Sequence, residues 1–425
     1  MKSPADMPES TRLDPIWRRD PKLVRVYDAL GAPRVDVRTV GGCVRDAIMG
    51  RDTADSEIDI GTPETPDEVA KRLQDAGLRA IPTGIDHGTI TALVDGRTFE
   101  ITSLRRDTAC DGRHAAVAFT TDWREDAGRR DFTFNAMSMT PDGLLHDYHG
   151  GVTDARTGRV RFVGEPADRI QEDYLRILRL FRFAALYGRA PIDAATLAAA
   201  GAHKEGLARL SAERVQTEMA KLLGAPDPNG AIKQMRESGV LAAILPLRDD
   251  VQALRNLIDA ERGIELEDRS WLRRLAVLIP AAAAGDVADR LKLSNADKGA
   301  LAALVGSPTV TPRTPSVDID AALYGHGTIL MRERALLAWA AQPSLGTPLS
   351  QSAWLALIAR IGLWTHRPLP LGGEDVLKAG VVPGPEVGRM LKGLTEWWIL
   401  GGFAASRAEA LAELARRAAL NGVRP

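Results

Sequence analysis

The period of the apolar positions changes repeatedly along the first 165 residues, and each change marks an element. Val35 to Val40 alternates apolar and polar residues and runs into Gly41-Gly42, the pattern of a strand entering a tight turn. Cys43 to Met49 reads as a helix, and Glu57 to Ile60 alternates again as a strand. Pro66 to Ala76 has helical spacing with proline in its first turn. Ile90–Val94 and Arg97–Ile101 are strands joined by Asp95-Gly96, a dipeptide that tolerates positive φ and so closes a hairpin. From Ala167 onward strand signals nearly vanish. Alanine, leucine and arginine recur at helical spacing, as in Ile170–Leu186 and Ala212–Leu223. Breaks fall at Ala225-Pro-Asp-Pro-Asn-Gly230, at the proline-rich Ser307–Pro315 and at Pro368–Gly373. The pattern predicts an α+β protein: an α/β region over residues 1–165, then all-helical segments over 166–225, 226–315 and 316–425.

Composition narrows the class. A chain of 425 residues is long enough for several domains, and 45% hydrophobic with 26% charged residues describes a soluble globular protein. The net charge of −1 advertises no nucleic-acid partner, but a neutral total can hide a basic face. Only two cysteines occur, Cys43 and Cys110, which argues against a disulfide framework and fits a reducing cytoplasm. No apolar leader and no apolar stretch of membrane-spanning length is read, so the expected address is cytoplasmic, away from membranes.

The densest chemistry lies in Gly41–Asp59, GGCVRDAIMGRDTADSEID. Glycines allow backbone N–H groups to approach a phosphate closely, and Arg45, followed by Asp46, offers a cationic fork. Glu57 and Asp59, two apart on a strand, share a face and can share a metal ion, with Asp55 as an alternative ligand. Phosphate cradle, cation and hard oxygen ligands suggest Mg²⁺-dependent nucleotidyl transfer. Cys43 is read as a small filler rather than a nucleophile.

This segment resembles the class II tRNA nucleotidyltransferase and poly(A) polymerase superfamily, in which GGxVRD leads to a strand ending in Asp-x-Asp. The chain departs from that pattern at Glu57, which stands for the first aspartate, and in a longer connection from Gly50. Further stations follow in the family order. Thr83–Thr89 resembles a Gly-x-x-His-Gly-Thr segment, with His87 a turn-stabilising group or a general base. Glu100, ending the next strand, orients the attacking hydroxyl or pairs with Arg105 or Arg106. Asp107–His114 reads as a mobile loop. Arg129-Arg130-Asp131-Phe-Thr-Phe-Asn135-Ala matches the family's RRDFTxNA. By that match Arg130 contacts phosphate, while Asp131 and Asn135 hold the site in shape. Phe132 and Phe134 argue against an exposed segment.

Asp173, Arg176, Arg179 and Arg182 recur every three residues and are expected on one polar stripe of a helix. An i,i+3 ion-pair face is one explanation. The other is base selection. A fixed aspartate acceptor and arginine donor match the Watson–Crick edges of cytosine and adenine and reject those of uracil and guanine. The segment resembles the family's EDxxR motif. By that match Asp173 and Arg176 read the base, with Arg179 and Arg182 near base or phosphate. Leu210–Leu223 resembles the neck helix, and Gly373–Gly388, a turn leading into a helix, resembles a tail segment of bacterial members. No phosphohydrolase His-Asp motif is read beyond the head.

The resemblance implies a catalytic head, a neck carrying the nucleotide-selecting motif, a body and a tRNA-binding tail over the four segments above. The implied reaction adds CMP, CMP and AMP from CTP and ATP to a tRNA 3′ end, with two Mg²⁺ ions on Glu57 and Asp59. The binding set is Gly41, Gly42, Arg45, Asp46, Arg130, Asn135, Asp173, Arg176, Arg179 and Arg182. The alternatives are poly(A) polymerase, addition of part of the CCA end, and an RNA-binding protein without catalysis. No obligate protein partner is evident.

Overall fold

A computed structural model describes residues 11–84, 88–110, 115–249, 252–268, 270–342 and 349–420. Contacts divide the chain into two compact units, the first ending at Leu245 and the second beginning at Pro246.

In the first unit the strands are β1 (Arg38–Val40), β2 (Asp59–Thr62), β3 (Arg79–Gly84), β4 (Thr89–Val94), β5 (Arg97–Ser103), β6 (Arg105–Cys110), β7 (Ala115–Phe119), β8 (Met137–Met139) and β9 (Leu145–Asp147). Among the described residues, seven form one sheet in the order β3-β4-β5-β2-β1-β8-β9, and β6 and β7 form a separate hairpin. The β4–β5 turn is the expected one, with φ of 47° at Asp95 and 81° at Gly96. The β2–β5 pair alone in this sheet is parallel, and it sets Asp59 opposite Glu100. Alternation along β2 and its approach buries Ile58 and Ile60 and leaves Glu57 and Asp59 outward.

The helices of this unit are α1 (Pro21–Ala29), α2 (Gly42–Ile48), α3 (Pro66–Asp75), α4 (Trp123–Gly128), α5 (Gly151–Thr157), α6 (Pro166–Glu172), α7 (Leu175–Tyr187), α8 (Ala194–Ala202), α9 (Ala212–Leu223), α10 (Asn229–Glu237) and α11 (Val240–Ile244). The side chain of Thr65 caps α3 and proline opens it, as its sequence requires. The helix expected over Ile170–Leu186 is instead two. Asp173 is extended (φ −151°, ψ 108°) and its Oδ1 accepts the Leu175 N–H at 3.0 Å. An aspartate that caps a new helix competes with continuing the old one. Phe132 stacks on Phe162 at 4.9 Å and meets Phe183 of α7 at 5.1 Å, so the RRDFTFNA segment is cored, as its phenylalanines indicated. The first unit runs beyond residue 225, the expected end of the neck, because α10 packs on α7.

The second unit is helical: α12 (Ala253–Gly263), α13 (Trp271–Leu278), α14 (Ala284–Arg290), α15 (Asn295–Val305), α16 (Ser316–Ala340), α17 (Gln351–Leu363), α18 (Gly373–Lys378), α19 (Pro385–Leu400) and α20 (Arg407–Leu420). Glu261, Arg273, Arg274 and Glu333 form a buried ion network joining α12, α13 and α16. The segment expected as a turn from Gly373 is the short helix α18, and the turn comes after it, with φ of 132° at Gly384. Among the described residues no helix is long and apolar enough to cross a membrane.

Candidate active site

Glu57, Asp59 and Glu100 stand exposed at one end of the β2–β5 pair. Side chains in register on neighbouring strands share a face, so Asp59 and Glu100 project together, with Glu57 one alternation before. Among the described residues no ion pair or side-chain hydrogen bond engages these three carboxylates. Arg106, one of the two alternative partners expected for Glu100, approaches Glu125 at 3.9 Å. Partial burial of the carboxyl, then the charges of Glu100 and Glu57, raise the proton affinity of Asp59, against an opposing pull from Arg130. Asp55 is not among the charges acting on Asp59. It lines a surface cavity of about 670 Å³ with Trp17, Lys22 and Arg97.

Gly41 bridges β1 and α2 at φ 73°, ψ −121°, a conformation that only glycine adopts without strain. A Cβ there would stand 3.1 Å from Nη1 of Arg130, so the guanidinium lies directly over the turn. Gly42 opens α2 behind it. Arg130 is held from below by the buried Asp126, whose Oδ2 accepts its Nη2 at 3.1 Å and whose Oδ1 accepts Arg129 Nε at 2.8 Å. Burial alone would raise the Asp126 pKa, but the charges of Arg130 and Arg129 outweigh it and hold the pKa low.

Arg45, expected as a phosphate fork, is placed differently. It is 6% exposed and donates to Asp46 Oδ1 at 2.9 Å, Asn135 Oδ1 at 2.8 Å and the Tyr187 hydroxyl at 2.7 Å, and it lies 4.0 Å from the Tyr187 ring. Its apolar neighbours Phe134, Phe183 and Tyr187 draw it inward, where it braces α2 against α7. Asn135 Nδ2 donates in turn to Asp131 Oδ1 at 3.0 Å, and Arg179 Nε donates to Asp131 Oδ2 at 2.7 Å. Arg45, Asn135, Asp131 and Arg179 therefore form a continuous chain from the glycine turn's helix to α7. Burial would raise the Asp131 pKa, but the Arg179 charge and the Asn135 hydrogen bond hold it below the usual range.

The expected stripe of Asp173, Arg176, Arg179 and Arg182 is broken, because Asp173 precedes α7 rather than lying on it. Asp173 Oδ2 accepts Arg214 Nη2 of α9 at 2.7 Å. Arg176 is bound to Glu172 and to the carbonyls of Arg169 (2.9 Å) and Arg129 (3.3 Å). Arg182 pairs with the buried Glu218 of α9 at 2.6 Å. Sequence reasoning missed Asp126, Tyr187, Arg169, Arg214 and Glu218. The i,i+3 and i,i+4 spacing of Asp126 to Arg129 and Arg130 was the available signal. The cross-helix pairs carried none.

His87 lies outside the described residues. Of the loop expected over Asp107–His114, residues up to Cys110 belong to β6 and 111–114 lie outside the described residues. Cys43 is buried and its thiol donates to the Val40 carbonyl at 3.4 Å. Burial, then the Asp59 charge, pushes its pKa up to about 12, so it is an inert filler.

A family profile described as the Poly A polymerase head domain matches residues 37–161, which hold Glu57, Asp59, Glu100 and the Gly41-Gly42 turn. A second, described as the probable RNA and SrmB-binding site of polymerase A, matches residues 191–251. Fold and site thus define a nucleotidyltransferase head of the poly(A) polymerase class. The mitochondrial CCA tRNA nucleotidyltransferase 1 of Mus musculus is 35% identical over 386 residues, 88% of this chain and 86% of that protein. The CCA-adding enzyme of Limosilactobacillus fermentum is 31% identical over 374 residues, 86% of this chain and 89% of its own. The crystal structure of the Bacillus stearothermophilus CCA-adding enzyme in complex with CTP superposes with a TM-score of 0.73 at 26% identity, covering 94% of this chain and 98% of that one. The chain belongs to the CCA-adding tRNA nucleotidyltransferase family.

Proposed function

We propose that this chain adds CMP, CMP and AMP to the 3′ end of tRNA, using CTP and ATP and releasing pyrophosphate. The 3′ oxygen forms a bond to the α-phosphorus as the bond from that phosphorus to the β-phosphate bridging oxygen breaks. The observation that carries the reading is the set of carboxylates unpaired among the described residues, Asp59 opposite Glu100, beside a glycine turn covered by Arg130. The names of relatives matched over most of the chain support the substrates.

The donor set fits Mg²⁺. Among the described residues no group of three or more ligands closes a metal cage, and Mg²⁺ commonly takes one or two carboxylates and completes its shell with water and substrate phosphate. Burial of the Asp59 carboxyl, then the charges of Glu100 and Glu57, raise its proton affinity, and a cation would relieve that crowding of negative charge. Asp59 and Glu57 would hold the metal, which supplies charge neutralisation and a more acidic 3′ hydroxyl when bound. Glu100 orients that hydroxyl. Arg130 and the backbone of Gly41-Gly42 receive triphosphate oxygens, with Asp46 beside them. Asp173 and Arg176 present acceptor and donor to the base edge, held by Arg214 and Glu172. Arg45, Asn135, Asp131 and Arg179 keep the phosphate and base subsites in register. The helices beyond residue 165 bind tRNA through phosphates and shape, with residues 316–425 as the tail. The scarcity of cysteine supports a cytoplasmic address, and relatives named mitochondrial extend the fold to a second compartment.

The test is extension of a tRNA trimmed of its 3′ CCA, sized at single-nucleotide resolution. CTP alone gives two additions, ATP added with it gives a third, and extension then stops. A long ladder with ATP alone would make the chain a poly(A) polymerase, and tRNA binding without extension would make it a binding protein. In the same assay Asp173→Ala admits UTP and GTP. Unchanged selectivity removes Asp173 from base reading.

A further inference from the structure

The carboxylates of the site depend on a loop that has little structure of its own. Residues 51–58 join α2 to β2 without helix or strand, and most are exposed. This connection leads directly into Glu57 and the start of β2. Parallel pairing of β2 with β5 begins at Asp59 and Glu100. Continuing that register backwards sets Glu57 beside Thr98 and Ser56 beside Arg97, but there the backbone ladder has stopped.

The side chain of Arg97 takes its place. Its Nη2 donates to the Ser56 carbonyl at 2.7 Å and its Nη1 to the Ala54 carbonyl at 2.9 Å. The same Nη1 also donates to Asp20, the cap of α1, at 2.5 Å, and the guanidinium stands 5.3 Å from the buried Phe99 ring. Other ties hold the rest of the loop: Arg51 Nη1 donates to the Leu186 carbonyl at 2.8 Å, the Ile16 N–H to Asp52 at 2.8 Å, the Thr53 N–H to Ser56 Oγ at 2.9 Å and the Ser56 N–H to the Thr53 carbonyl at 3.2 Å. The bound Ser56 carbonyl belongs to the peptide that links Ser56 to Glu57. A planar, charged fork bound to carbonyls two residues apart, Ala54 and Ser56, holds the end of the loop at two points, which a single donor would not.

We propose that Arg97 is a positioning residue, clamped by Asp20, that holds Glu57 at metal-sharing distance from Asp59. The inference rests on the reading of Glu57 and Asp59 as the metal-binding carboxylates. A glutamate carried by a stretch without helix or strand has many backbone and side-chain conformations to lose, so its geometry must be imposed from outside. Arg97 sits on the strand that carries Glu100. One strand thereby sets the spacing of all three carboxylates.

The test is Mn²⁺ affinity of the full chain without nucleotide, read from the electron paramagnetic resonance of free Mn²⁺, for wild type, Arg97→Gln, Glu57→Gln and the double variant. Glu57→Gln is expected to bind Mn²⁺ more weakly than wild type. Arg97→Gln is expected to weaken binding by about ten- to a hundredfold, the usual cost of removing a group that orients a ligand. The double variant should bind no more weakly than Glu57→Gln, because Arg97 acts through Glu57. In Arg97→Gln the selectivity for CTP and ATP over UTP and GTP stays at the wild-type level. Wild-type affinity in Arg97→Gln, with Glu57→Gln impaired, overturns the clamp and leaves the carboxylate assignment standing. Wild-type affinity in Glu57→Gln overturns the carboxylate assignment itself. Additive losses in the double variant also overturn the clamp. Should Arg97→Gln fail to fold, Arg97→Lys keeps the charge on Asp20 but lacks the two-pronged fork. Weakened Mn²⁺ binding there supports the clamp and unchanged binding overturns it.

Discussion

The carboxylate face of β2 and β5 and the arginine chain behind it are built from the same residue types and treated in opposite ways. On the face, Glu57, Asp59 and Glu100 are outward and, among the described residues, unpaired, and burial of the Asp59 carboxyl, then the charges of Glu100 and Glu57, raise its proton affinity. In the chain, Asp126 and Asp131 are buried or nearly so, each is held by arginine, and each has a lowered pKa. A protein that left charge unneutralised by accident would not do so on one face while pairing every member of the adjacent network. Charge left open marks where cation and phosphate are to arrive. Paired charge marks where geometry is to be held.

The comparison breaks most sharply at Asp59. Asp59→Ala removes a metal-binding carboxylate while touching no internal partner, so turnover should fall by about a thousandfold, the equivalent of several kcal/mol of lost charge stabilisation. Affinity for tRNA, measured by filter binding, should stay close to wild type. Persistent turnover would refute the assignment. Asp131→Asn should do the reverse in kind. Arg179 loses its counter-charge in a largely dry setting, and stability should drop by about 3 kcal/mol. That is the lower end for a broken buried pair, because Arg179 keeps partial access to water. Denaturant melts decide it, and a midpoint equal to wild type would show that the chain carries no structural weight.

How much of this was legible in advance follows the range of the interactions. The glycine turn, the Asp95-Gly96 hairpin and the shared face of Glu57 and Asp59 come from local rules, and the structure keeps all of them. The placing of Glu100 opposite Asp59 needs a strand register that no local pattern records. Arg45 reads from sequence as a phosphate fork because nothing near it reveals Tyr187 and Asn135, which meet it across the fold. Asp173 reads as helical because its neighbours are good helix formers. The cap it makes to Leu175 and the ion pair to Arg214 override that propensity. Local chemistry was visible, and the partners that redirect an arginine or break a helix were not.

A smaller effect sharpens the contrast through pH. Asp59 must be ionised to hold a cation, and its pKa is raised by burial first and by Glu100 next, so activity should fail on acidification above the ordinary aspartate range. Glu100→Gln removes one repelling charge and lowers the Asp59 pKa. The acid limb of kcat/KM should therefore move to lower pH, and a limb unmoved or moved upward would contradict the coupling.

The smallest effect is thermodynamic, and it carries opposite signs in the two regions. A carboxyl whose folded pKa is raised binds its proton more tightly in the native state than in the unfolded chain. The penalty is fully present above the folded pKa and fades as pH falls through it towards the unfolded value. Asp59→Asn should therefore raise Tm slightly at neutral pH, with the gain shrinking on acidification. Asp131 has a lowered pKa, so the stability it contributes is present above its unfolded pKa and lost as pH falls through the folded one. The loss of Tm in Asp131→Asn should shrink over that more acidic window. Melting both variants across pH from neutral to acid compares an aspartate held ready for a ligand with one that serves the fold. Two variants shifting Tm in the same direction at neutral pH would mean that the carboxylate face is as much a structural element as the arginine chain.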